Sequence, residues 1–104
     1  MEIDDIKKAI RNKKIRITDH ADEEAEADDL TFDEIYFSVL GGEIIEQYPG
    51  DKPYPSCLIN GLTFSGDAVH SVWAFNRNSR WAVLITVYRP DLDRWIDFRT
   101  RKER

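Results

Sequence analysis

This chain of 104 residues has a single cysteine, Cys57. That excludes an internal disulfide and fits a reducing compartment. No apolar run approaches the roughly 20 residues that a membrane helix needs. The first segment, MEIDDIKKAIRNKK, is charged throughout and lacks an apolar signal core, so a soluble, cytoplasmic protein without a membrane partner is expected. There is no Gly-rich phosphate loop, no nucleophile elbow and no paired-carboxylate motif. His20 and Glu24 stand one helical turn apart, but the second histidine of a zinc helix and the glycine-punctuated calcium loop are both missing. Neither metal nor cofactor is expected. Cys57 falls in an apolar strand-like run, which points to packing and not to reactivity.

Lys and Arg are absent from Ile17 to Phe37, a stretch that carries nine acidic side chains. Six basic residues stand against three acidic ones in Met1–Arg16, and six against four in Arg89–Arg104. The net charge of −5 argues against general nucleic-acid binding, and no DNA partner is expected. Two basic ends around an acidic middle allow one face of each sign.

The length suits one core and hence a single domain over residues 1–104, with 99–104 as a loose basic tail. Ile3, Ile6 and Ile10 recur at helical spacing and predict a short amphipathic helix over 2–12. KIRIT at 14–18 reads as a short edge strand. Thr18 or Asp19 then caps a second helix to about Asp28, which has little beyond Ala21, Ala25 and Ala27 to bury and is expected on the surface. Thr31 and Glu34 form a capping box for a third helix with the apolar stripe Phe32, Ile35, Tyr36, Val39 and Leu40, ended by Gly41 and Gly42. EIIEQY at 43–48 and SCLINGLTF at 56–64 read as strands separated by a proline-rich turn, with Gly61 marking a bulge.

The longest apolar and β-branched stretch, Val69 to Arg89, reads as a hairpin about the polar loop 76–80. Strict alternation puts Val69, Ser71, Trp73 and Phe75 on one face with Trp81, Val83, Ile85 and Val87. This face carries the larger apolar groups and is expected under the helices. His70, Val72 and Ala74 share the other face with Ala82, Leu84, Thr86 and Tyr88, which brings His70 beside Tyr88 at the open end. Beyond the hairpin, Trp95 and Phe98 are expected to pack back on the domain. The fold class is α+β, with N-terminal helices on a twisted antiparallel sheet of about four strands.

The segments ITDHA (17–21), TFDEIYFSVLGGEIIEQYP (31–49), PSCLI (55–59), VHSVWAF (69–75) and ITVYRPDLDRW (85–95), in that order, resemble a bacterial and archaeal family, domain of unknown function 4258. The resemblance runs roughly from Lys14 to Arg99, and its specificity lies in the order of the pieces. It implies a small fold related to RelE-type toxins and other small ribonucleases, with members encoded beside antitoxins or at the ends of larger polymorphic toxins. The family's two histidines fall on His20 and His70, and its V-Y-x-P-D motif on Val87, Tyr88, Pro90 and Asp91. The departure is in the second helix: HADEEAEADDL has Glu24 and Asp28 where the family usually has arginines. Two cations suited to a phosphate are replaced by two anions.

Each candidate residue has a chemical role and a plainer one. An imidazole at His20 or His70 can pass protons in RNA transesterification, or can serve as a hydrogen-bonded structural ring. Tyr88 can hold a phosphate or stack on a base, or be a half-buried ring. Arg89 and Arg99 can neutralise transition-state charge, and Arg101, Lys102 and Arg104 can follow a phosphate backbone, but exposed arginines of a strand end or tail look the same. Two functions are therefore expected from different classes. One is a toxin-like, metal-independent ribonuclease with His20, His70 and Tyr88 catalytic and Arg89 and Arg99 on the substrate, and with RNA and an antitoxin or other protein as partners. The other is a non-catalytic interaction or regulatory module that presents the acidic second helix to a basic partner.

Overall fold

The computed structural model describes residues 1–102; residues 103 and 104, the end of the expected basic tail, lie outside the described part. In chain order the elements are α1 (Ile3–Arg11), β1 (Ile15–Ile17), α2 (Asp19–Ala27), α3 (Phe32–Leu40), β2 (Glu43–Tyr48), β3 (Ser56–Leu62), β4 (Ala68–Asn76), β5 (Trp81–Tyr88), β6 (Trp95–Ile96) and β7 (Thr100–Arg101). The main sheet has five strands in the order β1-β5-β4-β3-β2, and β6 pairs with β7 in a separate ribbon. The expected four-stranded antiparallel sheet is corrected in one respect. KIRIT does form an edge strand, but it lies parallel to β5, with Ile15 opposite Ala82 and Ile17 opposite Leu84, so the sheet is mixed. Strand alternation alone does not reveal the direction of pairing.

Local chemistry sets the helix starts. Thr18 accepts from the Ala21 backbone N–H at 3.1 Å and begins α2. At α3 the Glu34 N–H donates to Thr31 Oγ1 at 3.1 Å while the Thr31 N–H donates to Glu34 Oε1 at 3.0 Å, the reciprocal capping box. The helices cover one face of the sheet. Ile6, Ala21, Ala25, Ile35 and Val39 meet Ile59, Val69, Trp73, Phe75, Ala82, Leu84 and Val87 in one core. Ser71 lies in this face because the buried Trp73 indole donates to its Oγ at 2.9 Å. The second helix is not merely superficial: Ala21 and Ala25 are buried against the sheet, and their small size lets the helix come close.

The hairpin register departs from strict alternation. His70 faces Tyr88, Ser71 faces Val87 and Val72 faces Thr86, but Trp73 then faces Leu84, leaving Ile85 as an extra residue in a bulge. Below it the parity of β5 is reversed. Ala82 and Leu84, not Trp81 and Val83, turn into the core, and Trp81 is exposed. No bulge occurs at Gly61, which pairs regularly with Val69. This glycine is required by the approach of α3, since a Cβ there would stand 1.8 Å from the Ser38 carbonyl oxygen.

Gly61→Ala is therefore expected to destabilise the domain by about 2–3 kcal/mol in urea unfolding, because the obstacle is backbone that cannot swing aside. Gly50→Ala, with no atom within 4 Å of the added Cβ, should stay within about 0.5 kcal/mol of the parent.

Candidate functional site

The outer face of the sheet, away from the helices, carries His70 and Tyr88 as opposed residues of β4 and β5. Their side chains meet, with His70 Nδ1 3.2 Å from the Tyr88 hydroxyl. The other ring nitrogen, Nε2, lies 2.6 Å from the backbone carbonyl of Phe98. A carbonyl can only accept, so Nε2 carries the proton; burial disfavours the charged ring, and in the neutral ring Nδ1 accepts from Tyr88. This is neutral imidazole with both nitrogens occupied. Burial pushes the His70 pKa below its ordinary value, against the opposing pull of the Phe98 carbonyl. Tyr88 is shifted upward, first by burial.

His70 is shut from solvent by the C-terminal ribbon. The Trp95 ring packs edge-on against it with centroids 4.4 Å apart, and the Arg101 guanidinium sits 4.7 Å over the Trp95 ring. Arg101 then makes a forked pair with Glu46 on β2, Nε to Oε2 at 2.9 Å and Nη2 to Oε1 at 3.1 Å. Burial alone raises the Glu46 pKa, but Arg101 and the bonded Tyr48 hydroxyl outweigh it and hold the carboxyl below its usual range. The same burial, with Glu46 beside it, pushes the Tyr48 phenol up to about 12. Asp97 and Phe98, at φ 51° and 61°, make the left-handed turn of the ribbon that aims the Phe98 carbonyl at His70. Where a loose tail is expected, Arg99 pairs with Glu43 at 2.7 Å and the Lys102 N–H donates to the Arg94 carbonyl.

Among the described residues no hydrogen bond or ion pair links His20, Arg89 or Arg99 to His70 or Tyr88. His20 is exposed and pairs with Glu24 at 2.7 Å, while Glu24 also accepts from the Thr86 hydroxyl. Arg89 donates through Nε to the Asp28 carbonyl at 2.8 Å and through Nη2 to the Asp29 carbonyl at 3.2 Å. It supplies a cation to the C-terminal end of α2, whose last turn has no basic residue of its own. Asp28 in turn accepts from the Arg89 backbone N–H at 2.8 Å. Glu24 and Asp28 thus tether α2 to β5 and to the residue that follows it.

Residues 17–89 match the family model described as Domain of unknown function (DUF4258). The chain belongs to this family. No curated protein and no solved structure matches it. The DUF4258 span holds α2, α3 and β2 to β5, and with them His70 and Tyr88. Trp95, Phe98 and Arg101, which enclose His70, lie outside it. Sequence reading anticipated that Trp95 packs back on the domain, but missed its target; the Glu46–Arg101 fork had no signal beyond opposite charge at a separation of 55 residues.

The sign of the pH effect follows from the depressed pKa. Between the folded value and the ordinary 6.5, the unfolded chain binds more protons at this position than the folded one. The contribution is complete above about pH 6.5 and is lost as pH falls toward the folded value. Unfolding free energy measured in urea should therefore drop from about pH 7.5 to about pH 5.5, and His70→Gln, whatever its absolute stability, should show a much shallower slope over that interval.

Proposed function

We propose that this DUF4258 domain is a non-catalytic interaction module that takes a basic, partly apolar segment of a partner protein along α2. The carrying observation is a cleft of about 420 Å³ between α2 and α3, bordered by Asp22, Glu26, Asp29 and Thr31 and floored by Ala25, Leu30 and Phe32. The three acids recur on one stripe of the helix and its C-terminal turn, and among the described residues none of their carboxylates has a Lys or Arg within 4 Å. Such a rim attracts cationic side chains while the floor accepts their aliphatic stems. The occupied ring nitrogens of His70 and the His20–Glu24 pair support a binding role over proton transfer. Asp22→Asn/Glu26→Gln/Asp29→Asn, read by titration with a synthetic Arg- and Leu-containing helical peptide at low salt, is expected to weaken binding by tenfold or more and to flatten its salt dependence. Unchanged affinity would rule the reading out.

Ribonuclease chemistry on a RelE-like scaffold in the cytoplasm is the second reading, favoured by the meeting of His70 and Tyr88 within the family span under a cover that comes from outside it. It requires the cover to lift. Arg101→Ala, which removes the fork to Glu46, should then cleave a single-stranded RNA oligonucleotide faster than the parent, and the gain should vanish in Arg101→Ala/Tyr88→Phe. If neither the parent nor Arg101→Ala produces fragments, the second reading fails and the first is unaffected.

A further inference from the structure

The C-terminal ribbon covers only one end of the outer face. His70 and Asn76 are six residues apart on β4, so the far end of this strand lies about 20 Å from the His70–Tyr88 pair. There the register aligns Ser56, Ala74, Val83 and Arg16 in one row across β3, β4, β5 and β1, with Asn76 and Trp81 opposed in the next. Tyr54, two residues before Ser56 and outside β3, borders the same surface. Arg16, Tyr54, Asn76, Ser79, Trp81 and Val83 line a cleft of about 340 Å³. Its floor is small and flat, two aromatic rings border it, and a guanidinium stands at its edge.

We infer that this cleft binds single-stranded nucleic acid, with a base stacked on Trp81 or Tyr54 and a phosphate on Arg16. Trp81 and Tyr54 are 37% and 36% exposed, whereas the other two tryptophans, Trp73 and Trp95, are 0% and 3% exposed. A large indole left in solvent beside a second ring offers π-faces to any base. Charge points the same way. Among the described residues, Lys14, Arg16 and Arg77 have no carboxylate within 4 Å, and all three are exposed at this end of the molecule. Arg80 is not available, being held at Asp5 and over the Phe75 ring. The Asn76 and Ser79 side-chain oxygens accept from backbone N–H groups of their own turn and so shape the hairpin end. Stacking on the rings accepts any base and is confined to single strands, because stacked duplex bases cannot reach them. The inference concerns the opposite layer from the acidic cleft and does not depend on it.

Trp81 is also the reporter. Titrating the full chain with a short oligo-U, and in parallel with oligo-dT, at low salt is expected to quench tryptophan emission with either ligand. A perfect duplex should leave it unchanged. Trp81→Leu should abolish the quench, and fluorescein-labelled oligo-U followed by anisotropy should bind that variant about tenfold or more weakly. Arg16→Gln should keep the quench, weaken binding and lower the slope of log affinity against log salt by about 0.7, the loss of one phosphate contact. Urea unfolding of both variants checks that they fold; their side chains lie outside the core. No quench with either single strand, tighter binding of duplex, or anisotropy unchanged by both substitutions would overturn the inference.

Discussion

One residue too many in β5 organises the sheet. If His70 faces Tyr88 and alternation continues unbroken, Trp81 and Val83 turn toward the helices and Leu84 toward solvent, and the core has no room for a second indole beside the fully buried Trp73. The bulge at Ile85 removes the conflict by reversing the parity of β5 between its two ends. Thr18 secures it, donating its hydroxyl to the Ile85 carbonyl at 3.0 Å while its backbone N–H donates to the Leu84 carbonyl at 3.1 Å. The same hydroxyl accepts from Ala21 and starts α2. The position of the second helix and the exposure of Trp81 therefore follow from a single irregularity.

Charged residues in this domain serve chiefly as fasteners around that frame. Glu24 and Asp28 hold α2 to the edge of β5, Arg89 returns the contact by capping the helix, and Arg101 with Glu46 clamps the ribbon over His70. The bonds of Glu24, Asp28 and Arg89 are partly shielded from water, where such an interaction is stronger than between freely exposed groups, whereas the Arg101–Glu46 fork is exposed and owes its strength to its two-point geometry. Acids at positions 24 and 28 have a structural meaning: a carboxylate can accept from Thr86 and from the Arg89 backbone N–H, whereas a guanidinium has no acceptor to offer them.

Most of the elements were legible because they depend on local chemistry. The isoleucines of α1, the Thr31–Glu34 capping box and the β-branched runs of β2 to β5 announce themselves within a few residues. The contact of His70 with Tyr88 was legible for a related reason, since both lie on the Tyr88 side of the bulge, where alternation still holds. What escaped was decided by geometry between distant segments. Nothing within KIRIT distinguishes parallel from antiparallel pairing, and nothing in WAVLITVY marks Ile85 as the unpaired residue. Gly61 carried a real signal that was misassigned, because a glycine needed by an overlying helix looks in sequence like one needed by a bulge. Of the three rings expected together, His70 and Tyr88 meet, while Glu24 holds His20 and a turn of two left-handed residues delivers a carbonyl to His70.

The fold distributes charge unevenly: the acidic α2 shares the helix layer with Lys7, Lys8 and Arg11 of α1, while Arg16, beside Trp81, stands on the opposite surface of the sheet. Packed layers stand about 10 Å apart, close to the Debye length at physiological salt. At that separation salt attenuates the field of the α2 carboxylates at the hairpin end without abolishing it. A ligand approaching either surface meets the local sign and not the net charge of −5. An overall acidic chain can thus offer an anion site, provided that the acidic groups are kept on the far side of a sheet.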